Sequence, residues 1–302
     1  MQKHIQVRTL QVFEKSTKAT SAGAVVKRQV DIFLRTCSKH GIMAPGHRIK
    51  KSRCVSEPRE IMTLACIDSL AEAIKSSCHT VKLWIIDDHS SEKFLSHLNE
   101  MFFGIDYTVT PLKDTGFIAS GVEQARLCKQ HGSDVVYLTE DDYLHDQNAI
   151  DLLVAGLTTL QKSVEFNPIV IYPYDCIDRY KKDFPAPSRI FYDNGLYWRT
   201  VTKSTPTVIM EYQTYLSFAS VFETMAANYD PFTFGEDQTI NRLYNNMVEF
   251  AGPAVLFSPI PSLAIHLEHQ MPTAITNGIV NWQNIWQETV SNVRKKFNIQ
   301  NS

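Results

Sequence analysis

The stretch of sequence that decides the fold is DVVYLTEDDYLH, residues 134–145. Its first half is a run of valine, tyrosine and leucine, side chains that suit a strand covered on both faces of a parallel sheet. Three adjacent carboxylates follow, Glu140, Asp141 and Asp142, and they repel one another unless positive charge lies between them. A divalent cation such as Mg²⁺ or Mn²⁺ would supply that charge. The alternative is a solvated acidic turn that caps the next helix.

The segments around this stretch alternate between strand-like and helix-like patterns. In an open α/β sheet such alternation predicts right-handed crossovers between largely parallel strands, with the strand ends on one edge. That edge would collect Thr36, Asp87, Asp88 and Asp114 beside the three carboxylates. The helix at 117–131 is expected to turn Ile118 and Val122 inward. The predicted strands are 30–36, 81–87, 107–112 and 134–139, and the predicted helices are 60–75, 92–102, 117–131 and 147–162.

The pattern changes after residue 165. A strand at 168–175, a hairpin at 189–201 and a strand followed by a helix at 204–218 are expected. A helical stretch at 235–246 and a broken strand at 254–269 follow. Residues 279–297 place apolar side chains on one helical face, which should pack against the protein. The chain therefore divides into an extension, 1–28, an α/β half, 29–165, and a mixed half, 166–302.

Composition limits the class of protein. The 302 residues are 44% hydrophobic, enough for a sizeable core, and the formal charge of −2 gives no reason to expect a nucleic-acid groove. Six cysteines without a CxxC pair are expected to be reduced. Neither a signal peptide nor a membrane-spanning run is apparent, which predicts a soluble, cytoplasmic protein. The oligomeric state is left open.

Five segments, in order, resemble motifs of family-2-like GT-A-fold nucleotide-sugar glycosyltransferases. They are FLRT (33–36), LWIIDDHSS (83–91), KDTGFIASGVEQAR (113–126), YLTEDDYL (137–144) and GEDQT (235–239), and the resemblance extends from about residue 30 to 269. It implies a GT-A-like, Rossmann-like sheet flanked by helices, mostly parallel, with a mixed α+β acceptor-side half. YLTEDDYL is similar to the DxD metal motif, but it has glutamate in the first position.

The resemblance also implies roles for individual residues. The 29–165 half would bind a nucleotide-diphosphate sugar, with Asp87 or Asp88 accepting hydrogen bonds from the base or ribose. Asp142, with Glu140 or Asp141, would bind Mn²⁺ or Mg²⁺, and His266 or His269 would add a late metal ligand. Residues expected to contact the donor are Arg35, Thr36, Asp87, Asp88, Asp114, Glu140 and Asp141.

For catalysis, direct displacement needs a base that takes the proton of the acceptor hydroxyl. The resemblance assigns this role to Asp237, with Glu236 as its neighbour and a possible acceptor ligand, and it implies an inverting transfer to a glycan or glycoconjugate. Alternatively, GED is a helix start that negative charge favours.

Three other classes compete with this interpretation. A haloacid-dehalogenase-like phosphatase is disfavoured because FLRT carries no carboxylate after the first strand. A nucleotidyltransferase of related fold is the main alternative, since residues 37–54 contain two glycines and several basic residues. An inactive nucleotide-sugar-binding module would have little use for a catalytic base, so retention of GED argues against it.

Overall fold

A computed structural model of the chain describes residues 26–38, 54–164, 167–180, 187–193, 195–230, 233–248, 252–267 and 280–300. Most of the predicted extension, 1–28, and the candidate ligand His269 lie outside these ranges. None of the helices in the described ranges is both long enough and apolar enough to cross a membrane.

Strands and helices alternate through the first half of the chain. The α-helices are α1 (Arg59–Ser76), α2 (Glu92–Met101), α3 (Phe117–His131), α4 (Ala149–Val164), α5 (Tyr212–Asn228) and α6 (Trp282–Lys296). The strands are β1 (Gln29–Thr36), β2 (Thr80–Asp87), β3 (Asp106–Pro111), β4 (Val135–Glu140), β5 (Tyr143–His145), β6 (Ile169–Ile171), β7 (Ile190–Asp193), β8 (Leu196–Val201), β9 (Val208–Glu211), β10 (Tyr244–Asn245), β11 (Ala254–Ile260) and β12 (Ala264–His266).

The central sheet has the order β3-β2-β1-β4-β9-β6-β11-β8-β7, with β10 pairing with β11. Strands β3, β2, β1 and β4 are parallel, and β9 runs against both β4 and β6. Because β9 opposes both neighbours, β6 and β11 run in the same direction as β4. The mostly parallel α/β class predicted from the sequence is thus confirmed.

The helices form two groups. Helix α3 packs against α5, whereas α1 packs against α2, α4 and α6. This division follows from right-handed crossovers, because the chain leaves β1 toward β2 and β3 and then returns past them to β4. The apolar face of α6 buries Trp282, Trp286, Val290 and Val293, so the prediction that this helix packs on the protein is confirmed.

Two local predictions are wrong. Residues 235–246 form two 3₁₀ turns (Glu236–Gln238 and Ile240–Leu243) and the short β10 instead of an α-helix. On α3, Ile118 and Val122 are 40% and 41% exposed. The inner side of α3 carries small residues: a Cβ on Gly121 would lie 3.2 Å from the Cβ of Ala226 on α5. Close helix packing therefore uses the small side chains, which leaves the larger ones outside.

Candidate functional site

The carboxyl ends of β1, β2 and β4 meet at one edge of the sheet. Thr36 is paired with Asp87, and Arg35 with Glu140, in the two parallel ladders. Ligands of open α/β sheets bind at such an edge. The predicted convergence of residues from 35 to 142 therefore follows directly from strand register.

Glu140, the first residue of the acidic cluster, is paired with Arg35. The guanidinium of Arg35 forms an ion pair with the Glu140 carboxylate and lies 4.3 Å from the centre of the Phe117 ring. It also donates to the carbonyl of Phe117 at 3.4 Å. Charge and cation–π contacts together hold Arg35 between β4 and the start of α3.

Asp141, the second residue, braces the loop that leaves β1. Its carboxylate accepts from the Thr36 hydroxyl at 3.1 Å and from the Cys37 backbone N–H at 2.7 Å. Arg59, in the first turn of α1, forms an ion pair with its other oxygen at 3.3 Å. Burial raises the pKa of the Asp141 carboxyl to about 6, against the opposing effect of Arg59. No motif in the sequence pointed to Arg59.

Asp142, the third residue, faces His266. The antiparallel pairing of β5 with β12 sets His266 opposite Tyr143, and the Leu267 N–H donates to the Asp142 carbonyl at 2.9 Å. Asp142 Oδ2 lies 3.1 Å from His266 Nε2, and the imidazole stacks on the Tyr143 ring at 4.8 Å between centroids. Both side chains are buried.

Each carboxylate of the cluster therefore has its own partner on another element. Arg35 and Arg59 supply positive charge beside Glu140 and Asp141, and a cation at the cluster stays a prediction made from the sequence. The chemistry of the donors nevertheless fits a metal at one point, since Asp142 and His266 supply one oxygen and one nitrogen within hydrogen-bond distance. A mixed oxygen and imidazole set suits Mn²⁺ better than Mg²⁺.

The predicted donor-binding aspartates organise the neighbouring loops. Asp87 is buried and accepts from the Ser90 N–H at 3.3 Å. Asp88 accepts from the Gly116 N–H at 2.8 Å, which ties β2 to the start of α3. Gly116 has a backbone φ of 106°, a value that residues other than glycine rarely adopt. Asp114 is exposed in the same loop.

Glu236 and Asp237 lie side by side in a 3₁₀ turn but in different environments. Burial raises the pKa of the Glu236 carboxyl, and the charges of Glu140 and Arg35 act on it as well. Asp237 is 55% exposed at its side chain and forms an ion pair with Lys203 at 2.8 Å. The hydrogen bond from Lys203 lowers the pKa of Asp237. The two neighbouring carboxyls therefore have pKa values shifted in opposite directions.

A second group of potential metal ligands lies at the opposite edge of the sheet. In the described ranges, Cys78, His79 and Asp151 are the one group of three whose donor atoms lie within 4.8 Å of one another. Asp151 accepts from the Cys78 N–H at 3.2 Å, and His79 Nδ1 accepts from the Arg28 N–H at 3.2 Å. Backbone hydrogen bonds therefore account for this arrangement.

No protein-family model matches the sequence, and no curated protein matches it at a significant level. Solved structures do match. S. aureus TarS matches with a TM-score of 0.44 and 11% identity, over 76% of this chain and 36% of that chain. Its 1–349 fragment in complex with UDP-GlcNAc matches with a TM-score of 0.43 and 12% identity, over 89% of this chain and 73% of that chain.

The inositol-1-phosphate CTP transferase from T. maritima matches with a TM-score of 0.39 and 12% identity, over 89% of this chain and 97% of that chain. The structural neighbours thus include GT-A-type glycosyltransferases and nucleotidyltransferases. The chain spans about a third of the length of the TarS chain that it matches over 36%. Because these TM-scores lie below 0.5, the function must be argued from the side chains of this chain.

Proposed function

We propose that this chain is a metal-dependent glycosyltransferase that moves a sugar from a nucleotide diphosphate to a hydroxyl group of an acceptor. The observation that carries the proposal is the approach of Asp142 Oδ2 to His266 Nε2, at 3.1 Å. Burial and, to a lesser extent, the charge of Glu140 also raise the pKa of Glu236. Asp142 and His266 can bind a cation, and Glu236 can accept a proton. Sugar transfer from a nucleotide diphosphate requires both functions.

The donor would lie across the ends of β1 and β2. Thr36 and Asp87 are adjacent there, and Asp88 links this edge to the loop before α3. Carboxylates accept the paired donors of a base edge or of ribose hydroxyls, which favours Asp87 and Asp88 as readers of the nucleoside. Arg35, held against Phe117, would face the diphosphate through its planar guanidinium.

Asp142 and His266 would hold the metal, with oxygens of the diphosphate as further ligands. When bound, the cation would neutralise negative charge that develops on the leaving phosphates. Glu140 and Asp141 are not metal ligands in this proposal, because they form ion pairs with Arg35 and Arg59.

Glu236 is the base in this proposal, in preference to Asp237. A general base works best when its pKa lies near the working pH, and burial raises the pKa of the Glu236 carboxyl in that direction. Lys203 moves the pKa of Asp237 the other way. Glu236 would take the proton of the acceptor hydroxyl while the hydroxyl oxygen attacks the anomeric carbon and the nucleoside diphosphate leaves. Such a displacement inverts the configuration at that carbon.

A nucleotidyltransferase is the second candidate. Arg35 and Arg59 both reach the cluster from segments that flank the β1 loop, and two guanidiniums there suit a triphosphate. The two activities differ in their products. A glycosyltransferase releases a nucleoside diphosphate. A nucleotidyltransferase joins a nucleoside triphosphate to a sugar phosphate and releases pyrophosphate.

The test is a panel of UDP-, GDP- and dTDP-sugars incubated with the purified chain, with Mn²⁺ or with EDTA. We expect release of nucleoside diphosphate from one donor with Mn²⁺ and none with EDTA. Asp142→Asn should lower this activity on the order of 10²-fold. Asp106→Asn, which changes an exposed aspartate at the start of β3, should keep it.

Two results would overturn the proposal. Pyrophosphate release from a nucleoside triphosphate, without turnover of any nucleotide sugar, would establish the second candidate. Tight nucleotide binding that needs no metal and yields no product would identify an inactive binding module.

A further inference from the structure

Strand β3 (Asp106–Pro111) forms one edge of the central sheet. It pairs in parallel with β2 on one side, and within the described ranges no strand pairs with it on the other. An edge strand with open backbone groups is a template for pairing with another chain. Charge and proline discourage such pairing, but here Asp106 and Pro111 stand only at the two ends of the strand.

The backbone groups on the open side of β3 belong to Tyr107 and Val109. The Leu112 N–H donates to the Asp87 carbonyl at 3.0 Å, so the even-numbered residues of β3 direct their backbone groups toward β2. Successive residues of a strand direct these groups to opposite sides. The N–H and C=O groups of Tyr107 and Val109 consequently point away from the sheet.

This edge is held rigidly and carries an exposed ring. The Tyr107 hydroxyl donates to Asn99 of α2 at 2.7 Å, and the Tyr107 ring lies 5.5 Å from that of Phe102. Phe103, in the turn before β3, is 85% exposed, and Thr108 is exposed at the middle of the strand. The edge therefore presents fixed backbone groups together with an uncovered aromatic side chain.

A second copy of the chain fits this edge in an antiparallel register centred on Thr108. Tyr107 then lies opposite Val109 of the second copy, and each exchanges both of its backbone hydrogen bonds with the other. Tyrosine opposite valine and threonine opposite threonine are favourable cross-strand pairs. The arrangement has two-fold symmetry, in which the same surface of both copies is used.

Other antiparallel registers leave open groups of β3 without a partner. A shift toward the start of the strand sets Val109 opposite Ile105, whose N–H already donates to the Phe102 carbonyl at 2.9 Å. A shift toward its end sets Tyr107 opposite Pro111, which has no N–H. The register centred on Thr108 is therefore the one that satisfies both N–H and both C=O groups of Tyr107 and Val109.

The same register gives the flanking side chains suitable neighbours. Phe103 comes to lie toward the exposed Lys113 of the second copy, where an ammonium over the ring is attractive. Asp106 lies opposite Thr110 of the second copy, so no like charges meet at the edge. Charge and apolar surface are thus complementary between two identical edges.

We propose that this chain forms a two-fold symmetric homodimer through β3, with a second copy of itself as the partner. The two central sheets join into one across the axis. Because the joined strands are antiparallel, the carboxyl ends of the parallel strands face opposite directions in the two copies. Both candidate functional sites therefore remain open, and the dimer does not depend on the proposed function.

Sedimentation velocity of the full chain tests the proposal. We expect the wild type to change from monomer to dimer between about 1 µM and about 200 µM, because small interfaces correspond to micromolar dissociation constants. Melting temperatures of all variants, measured beside the wild type, show that each is folded.

Val109→Pro removes the outward N–H and spares the ladder with β2, since proline is tolerated where the N–H of an edge strand faces outward. Each copy loses one hydrogen bond across the axis. The dissociation constant of the dimer should therefore rise at least about tenfold.

Two lysine variants test the register and keep the proposal testable if the proline variant does not fold. Thr108→Lys changes an exposed side chain and sets like charges opposite each other across the axis, so the dissociation constant should rise about tenfold. Thr110→Lys adds the same charge to the same strand, but it faces Asp106 of the second copy. That variant should dimerise at least as tightly as the wild type.

Three results would overturn the inference. One is a wild type that stays monomeric over the whole range of concentration. Another is a dimer whose dissociation constant changes in neither Val109→Pro nor Thr108→Lys, since a different surface would then hold it together. The third is equal weakening by Thr108→Lys and Thr110→Lys, which contradicts the register and with it the pairing of β3.

Discussion

The two acidic segments of the site handle their charge in different ways. In the cluster 140–142, each carboxylate faces a side chain from a distant part of the chain: Arg35, Arg59 or His266. In the turn 236–237, one carboxylate is exposed and paired with Lys203, and the other lies half-buried near the cluster.

This difference separates positioning from proton transfer. Glu140 and Asp141 form ion pairs with Arg35 and Arg59, which suits support of a loop or of a ligand. A carboxylate that burial drives toward its protonated form has a pKa closer to neutrality, which suits a base. We therefore propose metal binding at Asp142 and proton transfer at Glu236.

The strongest test of this assignment is to replace the two carboxylates of the 236–237 turn one at a time. Glu236→Gln should lower the turnover of sugar transfer by about 10³-fold, because a positioned base contributes on the order of 10²–10⁴-fold. Asp237→Asn should retain most of the turnover. Nucleotide affinity, measured by calorimetry, should be unchanged in both variants. A large loss in Asp237→Asn alone would move the base to Asp237.

The next largest effect is expected at Asp142. Asp142→Asn should lower transfer on the order of 10²-fold at fixed Mn²⁺, since an electrostatic contribution to the leaving group is lost. His266→Gln should raise the Mn²⁺ concentration needed for half-maximal activity. An Mn²⁺ titration of both variants against Asp106→Asn measures this, and identical titration curves would remove Asp142 and His266 as metal ligands.

Much of this arrangement follows from sequence patterns. Apolar runs and helical periodicity predicted the strands and helices of 29–165 to within a few residues, because burial on a sheet imposes those patterns. Parallel strands then bring Thr36, Asp87 and Glu140 to one edge, whatever the details of packing. The edge was predictable for this reason.

The charge partners were not predictable in the same way. Arg59 pairs with Asp141 across 82 positions, and His266 meets Asp142 across 124 positions. Such pairs depend on how α1 and β12 dock, which no local pattern encodes. Glu236 and Asp237 look equivalent in the sequence. They differ because burial raises the pKa of Glu236, whereas a hydrogen bond from Lys203 lowers the pKa of Asp237.

The pH dependence of the free energy of unfolding should show a smaller effect, and it concerns Asp141, which is paired with Arg59. The pKa of Asp141 is about 6 in the folded chain and about 3.9 in an unfolded one. The folded state therefore binds the proton more tightly, and stability that is fully present below about pH 4 is lost as pH rises through about 6. Asp141→Asn should lack this part of the decline.

Melting temperatures of wild type and Asp141→Asn between about pH 4 and pH 7 measure this difference. Exposed Asp106→Asn serves as the control, and its melting curve should follow that of the wild type. Parallel pH profiles of wild type and Asp141→Asn would contradict the raised pKa.

The smallest effect sharpens the choice between the two carboxylates of the turn. Lys203→Met removes the ion pair that lowers the pKa of Asp237, so that pKa should return upward. The cost in stability should be no more than about 1 kcal/mol, because both side chains are exposed. Lys129→Met, which breaks a pair with Glu223 of the same 2.8 Å length, is the matched control. If Glu236 is the base, the acidic limb of the pH–rate profile should be the same in all three proteins. A shift of that limb to higher pH in Lys203→Met alone would show that Asp237 takes the proton.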